Sequence, residues 1–534
     1  MPHFPTQTLK TAPELIIDLP KSRSDLQGYL DPSQGHSIDH LIVSDLGNEE
    51  IILVACDDGD VISYKMCSIV SALEQNVPLG EPWFLENVGR SAWGLAVHKE
   101  ARMIAVSSNT QKIDVFALAL QPLKRQGAHG GYEAPLSEHS DVPDPQESAS
   151  KFRVHHDGIR DRAHNIRLSL LAHKTNIPSV AFCNTAQDRD GNFLASTDID
   201  NNIFVWNLRQ AKVIMHADGD MNMSQSQRGW GITCLDPCTS RLTRDSFETL
   251  GCSVDREESF LDVSDAVRSV PDNSRWHPDS LHFGTDFSAS SMNPTGSTDE
   301  QDSEAETNSA DLAEVEEESE DEEGDSGPIA AISVPERKIE LSKKPLIVRL
   351  PFNILHTSEF AIRLFSDVPC YEGTKFGRTA SCIMCNQALH QFLPSSSAAW
   401  NQLRSIERLN MIAQIPELGV VAIANQVGRV GILTTTKARE GHLFGYRIEC
   451  VLPFKSQEQE MRPSVPLMGL AVGPVQGLEK RPEPGSVQDV TQDVPQTRPA
   501  WSSLRRYRLL IVYCDHTILS YELSRTDDPD IIVM

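Results

Sequence analysis

Residues 172–208 read AHKTNIPSVAFCNTAQDRDGNFLASTDIDNNIFVWNL and contain three short apolar runs separated by turn residues. The runs are Ile177 to Phe182, Phe193 to Thr197 and Ile203 to Trp206. Within each run apolar residues recur with the period of two that is typical of β-strands. Asp190-Gly191-Asn192 and Asp200-Asn201-Asn202 lie between the runs, and these residue types favour tight turns. The segment therefore predicts two consecutive antiparallel hairpins.

The spacing of residues in this segment resembles that of a WD repeat. In that family a histidine, a serine, an aspartate and a tryptophan form a hydrogen-bonded chain within each blade. The matching residues here are His173, Ser196, Asp200 and Trp206. Such a chain lets a buried imidazole, hydroxyl, carboxylate and indole satisfy one another. Asn207 stands where the family most often has aspartate. The resemblance implies an all-β fold, a WD-type β-propeller.

Weaker copies of the strand-turn-strand pattern recur along the chain. They lie at Ile51 to Tyr64, Met103 to Phe116, Val420 to Leu433 and Leu509 to Tyr521, with a further hairpin at Asn353 to Phe365. Repetition of one unit with insertions is typical of propellers. Without its polar segments the chain keeps about 330 residues, which at roughly 40 to 45 residues per blade predicts seven blades, or eight. We also expect Asp39 to Ser44 to complete the blade that contains Leu509 to Tyr521, since closure removes exposed sheet edges.

Polar segments divide the pattern, and their composition predicts long disordered loop insertions. The expected order is an N-terminal tail (1–38), a first part of the propeller (39–240) with a polar loop (121–161), a disordered acidic insertion (241–343), a second part of the propeller (344–475), a Pro-rich loop (476–500), and closing blade strands with a C-terminal tail (501–534).

Charge and cysteine usage limit the classes of partner. The 534 residues carry a formal net charge of −27, and 15 of the 75 acidic residues lie between Asp299 and Asp325, where there is no Lys or Arg. This excess opposes binding to phosphate backbones and anionic membranes, so we expect neither sequence-specific nucleic-acid binding nor membrane association. The eleven scattered cysteines and the lack of a secretory signal or long apolar run predict a soluble intracellular protein with reduced thiols, in the nucleus, the cytoplasm or both.

The motifs of common enzyme classes are missing from the sequence. There is no nucleophile elbow, phosphate-binding Gly-Lys loop or His-Glu-x-x-His helix, so we predict no catalytic residues, cofactor or small-molecule substrate. Cys382 and Cys385 form the tightest cysteine pair, but residues three apart in a strand point to opposite faces. Cys234 and Cys238 flank Pro237, where a turn could bring them together. Neither pair has a second Cys or His pair at zinc-ligand spacing, so we predict no metal site.

One surface motif stands at the end of the best repeat. Trp206-Asn207-Leu208-Arg209 resembles the Trp-Asp-x-Arg box of WD-repeat substrate receptors of cullin-RING ubiquitin ligases. In that family the matching arginine contacts the adaptor that joins receptor to cullin. The resemblance implies that Arg209 docks the adaptor, with Trp206 and Asn207 beside it. Many WD repeats carry this pattern for structural reasons alone, and that alternative stays open.

The acidic tract contains two candidate phosphorylation sites. Ser303 and Ser319 are each followed by acidic residues, as acid-directed kinases require, and a phosphate would add about −1.5 to −2 charge. The tract can equally serve as a solvated spacer. As a third alternative, it can attract basic proteins such as histones.

The chain as a whole resembles the fungal family of constitutive ribonucleotide reductase transcription regulators. The resemblance rests on Ser91 to Leu95 (SAWGL), the repeat at 172–208, Arg228 to Gly231 (RGWG), the acidic insertion and Asn353 to Thr357 (NILHT). It implies a WD-like protein that acts in transcription of ribonucleotide reductase genes and in DNA-damage or replication-stress responses, in association with a cullin ligase. From the residues we predict a non-enzymatic adaptor whose partners are proteins. The resemblances imply that the partner is a cullin-ligase adaptor or a transcription factor, and the alternative is a chromatin or transcription scaffold that binds basic proteins through its acidic tract.

Overall fold

The computed structural model describes just over 300 of the 534 residues, and all of these belong to one compact unit. The described residues are 15–23, 27–29, 35–120, 152–159, 162–218, 227–253, 260–268, 348–370, 381–389, 408–440, 443–454, 466–475, 505–525 and 531–533. They form six main β-sheets of four or five strands, which follow one another along the chain.

The first three sheets occupy the N-terminal part. The first sheet consists of β1 (Ile38–Leu46), β2 (Glu49–Cys56), β3 (Asp60–Lys65) and β4 (Phe84–Asn87). The second consists of β5 (Ala92–His98), β6 (Met103–Ser108), β7 (Lys112–Ala117), β9 (Ile166–Leu171) and, parallel to β9, β8 (Arg153–His155). The third consists of β10 (Ser179–Phe182), β11 (Phe193–Thr197), β12 (Asn202–Asn207) and β13 (Lys212–Asp218).

The other three sheets occupy the C-terminal part. The fourth consists of β14 (Gly229–Leu235), β18 (Asn353–Ser358), β19 (Ile362–Ser366), β21 (Ser381–Cys385) and β16 (Phe260–Asp262). The fifth consists of β22 (Met411–Ile415), β23 (Val420–Ala424), β24 (Val430–Ala438), β25 (Phe444–Leu452) and β15 (Arg241–Thr243). The sixth consists of β26 (Leu467–Pro474), β27 (Arg506–Tyr513), β28 (Ile518–Arg525) and β29 (Ile531–Val533), and a separate short pair joins β17 (Val348–Arg349) to β20 (Pro369–Cys370).

Each sheet packs face to face on the next sheet in the chain, as the blades of a propeller do. One apolar cluster joins the first sheet to the second through residues such as Leu53 and Val106. Corresponding clusters join the second to the third, the third to the fourth, the fourth to the fifth and the fifth to the sixth. The alternation of apolar residues read from the sequence places one set of side chains in each of two neighbouring clusters. The all-β propeller prediction is therefore confirmed.

The predicted number of blades is wrong, because the described residues form six blades and not seven or eight. The second predicted hairpin of residues 172–208 and the five predicted elsewhere each supply the second and third strands of one sheet. The length estimate failed because connections between strands contain further structure. Helices α1 (Met66–Gln75), α2 (Ser246–Leu250) and α3 (Ser264–Arg268), together with β8, β15 and β16, lengthen several blades beyond the usual repeat.

The expected closure by Asp39 to Ser44 is also wrong. These residues belong to β1, which pairs with β2 as the first strand of its own sheet. The blade that contains Leu509 to Tyr521 is completed instead by β26 on one side and β29 on the other. Within the described ranges, no apolar cluster joins the sixth sheet to the first.

The ordered structure extends past residue 240, where the acidic insertion was expected to begin. Strand β15 pairs with β24, and β16 pairs with β21. The cluster between the fourth and fifth sheets contains Leu250 of α2, Ala266 of α3 and Val263, which directly precedes α3. These short segments bury apolar side chains in the core, which is why they form structure in a region of polar composition.

None of the described helices is long and apolar enough to cross a membrane.

Candidate docking surface beside Arg209

The third sheet contains the predicted hydrogen-bonded chain. The indole Nε1 of Trp206 donates to the hydroxyl Oγ of Ser196 over 2.8 Å, and that Oγ lies 2.7 Å from Nε2 of His173. Because the Ser196 oxygen accepts from the indole, its own proton can go to Nε2, which leaves the proton on Nδ1 of the imidazole. Nδ1 in turn lies 2.8 Å from a carboxylate oxygen of Asp198. All four side chains are buried.

The carboxylate of this chain is Asp198 and not the predicted Asp200. Asp198 follows β11 directly, and its Oδ1 also accepts hydrogen bonds from the backbone and side-chain nitrogens of Asn202. Asp200 lies at the exposed tip of the same turn. The two positions are two residues apart, so the sequence pattern alone assigned the role to the wrong one.

These hydrogen-bonded side chains hold the hairpin of β11 and β12, which ends at the predicted docking box. Trp206 is only 2 % exposed, so its indole is an internal anchor and offers no surface for a partner. Leu208 is buried as well, whereas Arg209 is 59 % exposed. The side-chain Oδ1 of Asn207 accepts from the backbone nitrogen of Gln210 over 3.2 Å and so shapes the turn that follows. Of the three predicted docking residues, Arg209 presents its charged group to solvent.

The guanidinium of Arg209 is held by one carboxylate. Its Nη2 lies 2.8 Å from Oδ2 of Asp190, which is itself 69 % exposed. An ion pair this exposed typically contributes about 0.2 to 1 kcal/mol, because water screens it and both side chains lose freedom. A partner that offers a better carboxylate can therefore take Arg209 from Asp190 at little cost.

A cavity of about 270 Å³ lies beside Arg209, between the ends of the second and third sheets. Its charged lining comprises Arg162, Arg189, Arg209, Glu100 and Asp190. Apolar side chains of Leu120, Ile159 and Leu208 line it as well. Three guanidinium groups face two carboxylates, so this cavity is basic in a strongly acidic chain. We call Arg209, Asp190 and this cavity the docking surface.

Arg162 is a half-buried arginine of this lining. Its guanidinium donates to the backbone oxygens of Leu118, Ala101 (2.6 Å) and Arg102 (3.3 Å), which ties the ends of two strand connections together. Burial, with a smaller contribution from the charge of Arg102, lowers the pKa of Arg162 to about 10. It remains charged at neutral pH, so it provides a positive charge in the lining of the cavity.

The other residues singled out from the sequence are two cysteine pairs and two serines. The described cysteines are free thiols, and burial raises the pKa of Cys382 to about 12. Cys234 is buried whereas Cys238 is exposed. Ser303 and Ser319 lie outside the described residues.

One cluster in the first sheet was missed by the sequence analysis. His36, Cys56 and Asp58 each place one potential ligand atom within 4.8 Å of the others. The available signal was the run Asp57-Asp58-Gly59-Asp60 in a tight turn. The sequence did not reveal that His36, 20 residues upstream of Cys56, folds back onto that turn.

Comparison with known proteins finds two partial sequence similarities, one to a family model and one to a WD40 repeat-containing protein. The CRT10 family model, that of the constitutive ribonucleotide reductase transcription regulators, matches residues 379–523, from β21 to β28. A WD40 repeat-containing protein of Dictyostelium discoideum is 27% identical over 178 residues, which are 33% of this chain and 19% of the relative. The alignment thus spans about a fifth of that relative's length.

A solved structure described as U3-55K aligns with a TM-score of 0.23 at 12% identity, over 38% of this chain and 43% of that one. The CRT10 match, over 145 of the 534 residues, agrees with the resemblance stated from the sequence. The matched residues lie C-terminal to the SAWGL, RGWG and NILHT motifs on which the resemblance was first based, so the match is independent of them.

Proposed function

We propose that this chain, whose C-terminal sheets match the CRT10 family, is a non-enzymatic propeller scaffold that docks a cullin-ligase adaptor through Arg209. The observation that carries the proposal is the exposed guanidinium of Arg209 at the end of a hairpin anchored by the buried Trp206. A planar guanidinium on a rigid element can form two parallel hydrogen bonds to a carboxylate with little further loss of freedom. The basic cavity beside it favours an acidic or polar insertion from the partner.

Adaptor capture by the full chain tests this function. Arg209→Ala should lower the affinity for the adaptor about tenfold or more, as loss of an arginine anchor does at other interfaces. Arg349→Ala is the matched control, because Arg349 is similarly exposed (58 %) and also pairs with an aspartate, Asp367, at 3.2 Å. Capture of the adaptor that is equal for wild type and Arg209→Ala, or absent from wild type, would contradict the docking proposal.

We further propose that the docked complex acts in transcriptional control of ribonucleotide reductase genes and in the response to DNA damage. The CRT10 match supports the transcriptional part of this role. Transcript levels of the reductase genes, measured with and without the chain, test it. If the docking role is correct, Arg209→Ala should reproduce the effect of deleting the whole chain, whereas Arg349→Ala should not.

A second candidate is a chromatin or transcription scaffold that binds basic proteins through the acidic tract. The observation that favours it is the density of charge between Asp299 and Asp325, with 15 acidic residues and no basic one. Such binding is screened by salt. Histone binding should therefore fall steeply between low and physiological ionic strength and vanish when 299–325 is deleted. Salt-insensitive binding would exclude this role for the tract.

A further inference from the structure

The turn between β2 and β3 brings together three side chains that can bind a metal ion, those of His36, Cys56 and Asp58. Cys56 ends β2 and is fully buried, and Asp58 follows in the turn with 3 % exposure. His36 precedes β1, and its side chain is 10 % exposed. Its Nδ1 lies 2.7 Å from Oδ2 of Asp58. A thiol, an imidazole and a carboxylate therefore meet within 4.8 Å of one another in a buried place.

Three more aspartates surround this group. Asp57 and Asp60 are buried in the same turn, and Asp39 lies close by on β1. Concentrated negative charge away from water is unfavourable, and a bound cation would relieve it.

The imidazole of His36 meets the carboxylate of Asp58 through Nδ1, so an ion shared by the three side chains would replace the proton of Nδ1. Its Nε2 is buried and has no hydrogen-bond partner among the described residues. His173 in the third sheet, by contrast, has partners for both nitrogens, Asp198 and Ser196. The geometry that points to an ion is therefore that of Nδ1 of His36, Cys56 and Asp58.

We propose that His36, Cys56 and Asp58 bind a divalent transition metal ion, with zinc as the ion that this donor set fits best. Thiolate, imidazole and carboxylate are the three ligand types that zinc accepts, whereas magnesium and calcium take oxygen ligands only. Binding releases the thiol proton of Cys56 to solvent, and the cation stabilises the thiolate. Asp39 or Asp57 would supply a fourth ligand or orient the others from a second layer.

The metal would act as a structural clip. The backbone nitrogen of Ser22 donates to Oδ2 of Asp60 over 2.8 Å, so the N-terminal segment is already attached to this turn. Apolar side chains of that segment, Leu15, Ile17 and Leu19, pack on the outer face of the first sheet. An ion at His36, Cys56 and Asp58 would fix the chain that leads into β1 to the turn that follows β2.

Cobalt titration of the full chain tests the site. The protein is stripped with a chelator under reducing conditions and titrated with Co²⁺, whose thiolate complexes show a sulfur-to-metal charge-transfer band. We expect one equivalent to bind with this band, and Zn²⁺ to displace it. Cys56→Ser should abolish the band, and His36→Gln should weaken Co²⁺ binding at least tenfold.

The matched control is Cys183→Ser. Cys183 is another fully buried thiol next to the end of a strand, but its neighbour is the hydroxyl of Thr185 at 3.3 Å. This variant should keep both the band and the affinity. Circular dichroism checks that each variant folds, and the partly exposed His36 provides the informative variant if Cys56→Ser does not fold. Absence of the band in wild type, or its persistence in Cys56→Ser, would overturn the proposal.

Discussion

The first and third sheets place a His–Asp pair at the same kind of turn but complete it differently. In both sheets five residues separate the last paired positions of the second and third strands, 56–60 in one and 198–202 in the other. The third sheet continues from His173 to Ser196 and Trp206, so the imidazole, the hydroxyl and the indole there all have partners. In the first sheet Nδ1 of His36 contacts the carboxylate of Asp58, and Nε2 has no hydrogen-bond partner among the described residues.

The strand register explains this difference. Val54 occupies the position of Ser196, and Tyr64 that of Trp206, so the hydroxyl and indole of the third sheet are missing from the first. Asp58 occupies the position of Asp200, the residue expected to bind histidine in the third sheet. The two turns therefore have the same length, but the carboxylate that contacts the imidazole lies two positions later in the turn of the first sheet than in that of the third.

The largest effect should come from removing Trp206, which anchors the hydrogen-bonded side chains of the third sheet. Trp206→Ala should lower the free energy of unfolding by about 3 to 5 kcal/mol, because it removes a large buried side chain and leaves a cavity. Tyr64→Phe, at the matching place in the first sheet, should change it by less than about 0.5 kcal/mol. Urea unfolding followed by circular dichroism measures both. Similar midpoints for the two variants would show that the third sheet has no special dependence on its anchor.

A second contrast concerns the backbone of the two turns. Gly59 has φ of 86°, and a Cβ built on it would lie 1.3 Å from the carbonyl oxygen of Gly89. Asn201 holds the matching position with φ of 66°. Gly59→Ala should cost more than about 2 kcal/mol through strain and collision, whereas Asn201→Gly should cost less than about 1. Thermal melts of the two variants check this, and a tolerated Gly59→Ala would mean that the turn can move.

The hydroxyl of Ser196 provides a third, smaller test. Ser196→Ala leaves Nε2 of His173 and Nε1 of Trp206 without their partner, which should cost about 1 to 3 kcal/mol. The variant reproduces the situation that His36 already has in the first sheet. An unfolding midpoint equal to that of wild type would indicate that the buried chain adds no stability.

The smallest effect should be a dependence on pH in the first sheet. The pKa of Asp39 is about 6 in the folded chain, above its ordinary value of 3.8, so the ionised form disfavours folding. The stability linked to its protonation is complete below about pH 4 and is lost as the pH rises to about 6. In excess chelator, Asp39→Asn should therefore raise the melting temperature at pH 7.5 and change it little at pH 4. The reverse order would contradict this sign.

Local features of the sequence predicted the central hairpins of all six sheets. Turn residues such as Asp57 to Asp60 and alternating apolar runs act over a few positions, so they can be recognised without a structure. The outer strands pair with partners far along the chain; β14 pairs with β18 across more than a hundred residues. Each of the six sheets contains one of the predicted strand-turn-strand units, whereas the division of chain length predicted seven or eight blades.

The polar sites were harder to predict than the strands. His173, Ser196 and Trp206 were identified because their spacing follows a family pattern, but the choice between Asp198 and Asp200 depends on how the turn closes. The cavity beside Arg209 needs Arg162 and Ile159, which arrive from a different sheet connection. Only tertiary structure brings such residues together.

Among the described residues, the sixth sheet shares an apolar cluster with one neighbouring sheet only, and this affects the order in which the protein unfolds. This sheet shares an apolar cluster with the fifth, and a Cβ built on Gly469 or Gly473 of β26 would meet no described atom within 4 Å. In stacked repeats each unit draws its stability from the neighbours it touches. Amide protons of β27 and β28 should therefore exchange with solvent before those of β11 and β12, which have neighbours on both sides, and unfolding should progress inward from the C-terminal sheet.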